Sequence, residues 1–348
     1  MPTSPLHEAH ERAGARFTDF GGWTMPVQYQ SVLEEHAAVR SDVGMFDVSH
    51  LGRFEVVGAG STDLLVRQLC NDIRKIDPGR AQYTMALNAS GGVEDDIIVW
   101  RIDDERYWVM PNGTNFDEIA SRFVAFAPDT VSITDLRVRS VLLAIQGPRA
   151  ADVLESVLGM VPGRFRVRSG SFMGHDITAA GTGYTGEKGA EVYIDIAGAE
   201  ALWEAFTTAG AKPAALGARD TLRLEMGYPL WGHDLDDETT PLEANLAWVV
   251  SWDHDFIGRD ALEAQRGHLT KKLVSFTTEG RAIPREGYAV TTDTGHGTVT
   301  SGNFSPTLQH GIGMAFVSPP PGQGESLSIE IRGRQVAGAI TSVPFLDR

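Results

Sequence analysis

The spacing of apolar and polar residues changes period several times along the chain. Residues 3–14 carry a helical spacing, with Thr3 or Ser4 placed to cap it and Gly14 near its end. Residues 19–29 (D-F-G-G-W-T-M-P-V-Q-Y) mix glycine, proline and aromatics and read as irregular. A second helical spacing covers 31–40, after which G-M-F-D-V-S-H-L-G-R-F-E-V alternates as a strand does. From 53 to about 135, strands at 54–57, 82–88, 97–102 and 107–110 interleave with helices at 61–69 and 114–126. That order predicts a split βαβ unit inserted in the chain. Strand patterns return at 141–145, 175–180 and 190–194, with helices from Pro148, at 199–209 and at 216–227. After 267 the texture changes to short strands broken by Gly, Pro and Thr, ending at 335–343, which predicts an all-β barrel or jelly roll. The expected class is α+β.

Length and charge sharpen this division. A chain of 348 residues with 42% hydrophobic content can bury the cores of two or three domains. From Ser275 onward there are six acids and five bases, a net −1, so residues 1–274 carry the other −15 of the −16 total. The imbalance marks off a C-terminal domain. The overall negative charge argues against a nucleic-acid partner, whose phosphates it would repel. The single cysteine, Cys70, excludes an internal disulfide and a multi-cysteine metal centre. No run of eighteen apolar residues and no charged-then-apolar leader is present, so a soluble, cytoplasmic protein without a membrane partner is expected.

The chemistry centres on residues 91–100, G-G-V-E-D-D-I-I-V-W, where a glycine turn and three acids lead into an apolar run. Side chains alternate along a strand, so one of Asp95 and Asp96 must face inward. An inward carboxylate either caps backbone amides or serves as an acid/base group on a cavity floor. Several familiar motifs fail. G-T-G-Y-T-G-E-K-G lacks the glycine before Lys188 that a phosphate loop needs, H-E-A-H-E lacks metalloprotease spacing, and no G-x-S-x-G elbow occurs. His7 and His10 are expected to be solvated, and no metal site is expected. What remains is Asp96, Asn112, Tyr184, Glu191 and Arg219, with the aromatics Tyr83, Trp100 and Trp248. Aromatics with a few convergent polar groups describe a site for a flat heteroaromatic ligand.

The order of several strings is similar to that of the glycine cleavage T-protein (aminomethyltransferase) family. They are D-F-G-G-W-T-M-P-V-Q-Y, G-M-F-D-V-S-H-L-G, G-G-V-E-D-D-I-I-V-W, G-T-G-Y-T-G-E-K-G-A-E, L-G-A-R-D-T-L-R-L-E-M-G-Y-P-L-W-G-H-D-L and T-S-G-N-F-S-P-T-L. The resemblance covers nearly the whole chain. It implies a three-domain folate-binding fold: a discontinuous first domain (1–52 plus 136–267), a ferredoxin-like insertion (53–135) and a C-terminal β jelly roll or barrel (268–348). The implied reaction moves the methylene of an aminomethyl group, carried on lipoylated H-protein, to tetrahydrofolate, giving 5,10-methylenetetrahydrofolate and ammonia.

Residue by residue, the resemblance implies that Asp96 is the catalytic carboxylate. It implies that Glu191 and Arg219 hold the pterin end, that Asn112 contacts folate, and that Tyr83, Tyr184 and Trp248 wall the cavity, with Arg348 a C-terminal contact. Two positions depart from the family pattern: Trp100 stands where tyrosine is usual, and Glu94 where an aliphatic residue is usual, on the same strand face as Asp96. A folate-dependent demethylase acting on another small donor is the alternative on the same scaffold. The folate-binding accessory protein of iron–sulfur assembly is a third reading, disfavoured because its cysteine-containing signature is replaced here by H-D-F-I-G-R-D-A.

Overall fold

The computed structural model describes residues 1–322 and 325–347. Its residues gather into two compact units. The first comprises Met1–Gln68, Asp72–Thr84 and Asp96–Arg219; the second comprises Leu69–Asn71, Met85–Asp95 and the residues from Asp220 onward.

The first unit is built on a six-stranded sheet, ordered Val167–Phe172, His175–Ala180, Gly189–Asp195, Ser140–Gln146, Gly44–Asp47 and Lys212–Pro213. Its register decides which residues share a face. Glu191 and Phe46 both lie opposite Ala144, whereas Val192 and Asp47 both lie opposite Leu143. Apart from Asp47 at the end of its strand, the Val192 face is apolar. Met45, Leu143, Ile145, Val192 and Ile194 bury there against Leu154 of the helix Ala150–Leu158 and Leu202 and Phe206 of the helix Ile196–Thr208. Glu191 and Tyr193 therefore project from the opposite face, away from the helical core.

A five-stranded sheet runs Arg80–Leu87, Val93–Asp103, Arg106–Met110, Phe54–Val57 and Ser132–Asp135. With the helices Ser61–Gln68 and Phe116–Phe126, its last four strands have the ferredoxin-like order, and Arg80–Leu87 is an added edge. The strand Val93–Asp103 begins before the acids and takes them inside it: Asp95 is fully buried on one face, Asp96 part-buried on the other. Within the second unit, the preceding turn needs both glycines. Gly91 has φ +85°, and a Cβ on Gly92 would stand 1.8 Å from the Asp237 carbonyl oxygen.

The second unit also contains a closed six-stranded barrel, Lys272–Thr278 through Arg334–Thr341, filled by Phe276, Val299, Val317 and Ile329. A closed barrel, rather than a jelly roll, is what the C-terminal texture encodes. The irregular reading of residues 19–29 is corrected. Arg16–Phe20 and Trp23–Gln28 pair as a hairpin across Gly21–Gly22. In a two-stranded sheet both strands are edges, so Pro26 is tolerated and hides the strand in the sequence. Among the described residues no helix is long and apolar enough to cross a membrane.

Candidate active site

Asp96, Tyr83 and Asn112 come together in the first unit. The Tyr83 hydroxyl donates to Asp96 Oδ2 at 3.0 Å, and Asn112 Nδ2 donates to Asp96 Oδ1 at 2.9 Å and to its carbonyl oxygen at 3.3 Å. Burial pushes the Asp96 carboxyl above its ordinary value; the two hydrogen bonds only partly oppose this. The result is an oriented carboxyl whose fixed donors are neutral and which takes up a proton more readily than an aspartate in water.

Glu191 and Arg219 form a second centre with Tyr184. Glu191 is 7% exposed and accepts a 2.5 Å hydrogen bond from Thr182 Oγ1. Burial raises its pKa, against the Thr182 bond and the positive charge of Arg219. The Arg219 guanidinium lies 4.7 Å from the centre of the Tyr184 ring, a cation–π arrangement. The glycine-rich loop that carries Thr182 and Tyr184 is pinned from behind. Gln146 Nε2 donates to the Thr182 carbonyl at 3.1 Å, and Gln146 Oε1 accepts from Thr185 Oγ1 at 2.8 Å. Arg40 donates to the Thr185 carbonyl at 2.7 Å and to Glu187 at 2.8 Å.

An aromatic row links the strands that carry the two centres. Trp100 shares a strand face with Asp96 and stacks on Trp108 at 5.8 Å; Trp108 in turn meets Tyr193, which shares a face with Glu191, at 4.5 Å. Trp108 Nε1 donates to Glu55, whereas the buried Nε1 of Trp100 has no partner among the described residues.

Trp248 lies in the second unit on the turn Ala247–Val249 and is 69% exposed. Arg348 lies outside the described residues. His10, expected in solvent, is fully buried: its Nε2 is 2.8 Å from Asp47 Oδ2 and its Nδ1 is 3.0 Å from the Tyr29 hydroxyl. The helix His7–Arg12 turns that ring inward, where it packs edge-on against Trp203. Sequence reasoning missed Thr182, which is one of several threonines in a glycine-rich turn. Only the antiparallel pairing of Ala180 with Glu191 brings that turn beside the carboxylate.

Residues 6–254 match the family model described as the GCVT N-terminal domain, and residues 271–347 match that of the glycine cleavage T-protein C-terminal barrel domain. The chain belongs to the glycine cleavage T-protein family. Its relatives include an aminomethyltransferase of Thermus thermophilus, 43% identical over 99% of both chains. Another, from Chlorobium chlorochromatii, is 42% identical over 99% of this chain and 98% of the relative. A crystal structure of glycine cleavage system aminomethyltransferase T from Bartonella henselae superposes with a TM-score of 0.91 at 33% identity, covering 99% of this chain and 98% of that one.

Proposed function

We propose that this chain is a tetrahydrofolate-dependent aminomethyltransferase of the glycine cleavage system, taking its donor group from lipoylated H-protein. One carbon–sulfur and one carbon–nitrogen bond of the S–CH2–NH2 group break, and two carbon–nitrogen bonds to the folate form. The two hydrogens leaving the folate nitrogens end on the thiol and on ammonia, so the exchange balances without an oxidant.

The observation that carries this reading is the Asp96 group. A transfer of this kind needs a proton acceptor and donor at one point, and Asp96 is a carboxyl raised by burial and aimed by Tyr83 and Asn112. The second centre fits the rest of the co-substrate. A pterin presents an N–H and an adjacent amino group on one edge, two parallel donors that the Glu191 carboxylate can accept together. Arg219 favours the ionised carboxylate, and Tyr184, Trp108 and Tyr193 offer flat surfaces for a ring. A cytoplasmic setting belongs to the same reading. The two relatives described above, each named aminomethyltransferase, favour it over a demethylase.

The test is ammonia release from aminomethylated H-protein. Release that depends on tetrahydrofolate and yields the methylene product supports the reading. Equal efficiency with free aminomethyl-lipoamide would remove the carrier protein from it, because remote contacts would then contribute nothing to positioning the donor.

A further inference from the structure

The strand Ser140–Gln146 ends on an amide that no cross-strand side chain covers. Gln146 lies opposite Gly189 on one neighbouring strand and Gly44 on the other. Two residues beyond Ala144, it stands on the Glu191 face of the sheet. A Cβ on Gly189 would be 2.7 Å from Gln146 Nε2, so the glycine makes room for the amide. The loop after His175–Ala180 then folds across it. Gly183 passes so close that a Cβ there would lie 2.1 Å from Oε1, and Gln146 is left 1% exposed.

One planar group therefore holds residues on both sides of Tyr184. Nε2 donates to the Thr182 carbonyl at 3.1 Å, and Oε1 accepts from the Thr185 hydroxyl at 2.8 Å. Thr185 is fixed in turn, since its Oγ1 also accepts from the Glu187 N–H at 3.2 Å. The tie to Thr182 matters for the site. Its hydroxyl is the only hydrogen-bond donor to the Glu191 side chain among the described residues, and it occupies Oε2. A donor on one oxygen fixes the rotation of a carboxylate, and with it the direction of the remaining lone pairs. Two parallel donors are accepted together only when that plane faces them.

We propose that Gln146 is a positioning residue for pterin recognition: by holding the Thr182 backbone it sets the plane in which Glu191 accepts the two donors of the ring. The inference rests on the folate reading above. Gln146 itself lies under the loop and reaches no ligand. Its effect runs through one hydroxyl, which distinguishes it from an amide that merely stabilises the fold.

The experiment is calorimetric titration of tetrahydrofolate, with KM measured for both co-substrates, in wild type, Gln146→Met, Thr182→Val and the double variant, each checked for folding. Each single variant should weaken tetrahydrofolate by roughly tenfold. The double variant should lose no more than about twofold beyond either, because both changes remove the same hydrogen bond to Glu191. KM for tetrahydrofolate should rise in step, while KM for aminomethylated H-protein stays within about twofold of wild type. If Gln146→Met does not fold, Gly183→Ala replaces it. That change sits in an exposed loop, keeps every bonding group and pushes the amide aside with one methyl, so a loss of roughly threefold or more is expected. Folded Gln146→Met or Gly183→Ala that binds like wild type overturns the proposal, as do single effects that multiply to about a hundredfold in the double variant. In either case weakened binding by Glu191→Ala would leave the folate reading standing. Wild type that does not bind tetrahydrofolate overturns that reading and this proposal together.

Discussion

Asp47 and Asp96 are aspartates of the same unit, and their surroundings drive them in opposite directions. Asp47 accepts from the Ser4 hydroxyl and the Ser49 N–H and faces His10 at 2.8 Å. Burial pushes Asp47 up, but the His10 contact and the other donors prevail and hold it at about 2. Asp96 also accepts side-chain hydrogen bonds, from Tyr83 and Asn112, yet burial prevails there and its pKa rises. The number of partners does not separate them. The difference is the imidazole beside Asp47, which favours its carboxylate, whereas among the described residues the side chains that donate to Asp96 are a phenol and an amide. One carboxylate is locked as an anion and ties the first helix to the central sheet; the other keeps its proton exchangeable.

The comparison breaks most visibly in turnover. Asp96→Asn should lower it by roughly 10²–10⁴-fold while tetrahydrofolate affinity changes little, measured by single-turnover ammonia release beside calorimetry. Near-normal turnover would move the role to another acid, Glu94 first. Asp47→Ala should act on stability instead. It removes the partner of the buried His10 Nε2 and the acceptor of the Ser4 and Ser49 donors, and denaturant unfolding should show a loss of about 3–5 kcal/mol. A loss below about 1 kcal/mol would mean that the Asp47 cluster is not holding the helix.

Glu191 tests the recognition side. Hydrogen bonds to a charged group contribute about 1.5–3 kcal/mol each, so Glu191→Ala should weaken tetrahydrofolate by at least about tenfold. Glu191→Gln should be about as damaging, because its amide turns a donor towards a donor edge. Wild-type affinity in folded Glu191→Ala would place the pterin pocket elsewhere.

The smallest effect is the sharpest discriminator, because its sign differs between the two aspartates. Asp47 sits below its ordinary 3.8, so its contribution is full above that value and disappears as pH falls from 3.8 towards 2. Asp96 sits above its ordinary 3.8, so the folded state binds its proton more tightly than the unfolded chain, and stability declines as pH rises from 3.8 through the raised value. Asp96→Asn should therefore be more stable than wild type at neutral pH, with the difference closing below about pH 4. An inactive variant that is less stable at pH 7 would contradict the assignment of burial as the dominant cause.

Much of the fold was legible because periodicity and burial agreed. The strand Phe54–Val57 alternates in burial as its sequence does, His175–Ala180 has the bounds read from the sequence, and Ser31 caps the helix Val32–Ser41 by accepting from the Glu34 N–H. The failures have physical causes. Val167–Phe172 reads V-R-S-G-S-F; it is an edge strand exposed along its middle, so no apolar pattern marks it. His10 looks like a surface residue until a partner 37 positions away is placed beside it. Asp96 stood out because acids rarely enter a strand, but its role came from resemblance. Thr182 left no local signal, since it acquires its place through strand register.

The two-faced strand Gly189–Asp195 has a consequence for how such a chain can change over generations. Point substitutions at its outer positions alter one side chain at a time. Deletion of a single residue within it would slide the whole strand by one register and exchange its faces. Glu191 would then point among Leu143, Leu202 and Phe206, and Val192 would occupy the place of the carboxylate. Length variation is thus confined to the connections at either end, while the strand itself is inherited whole.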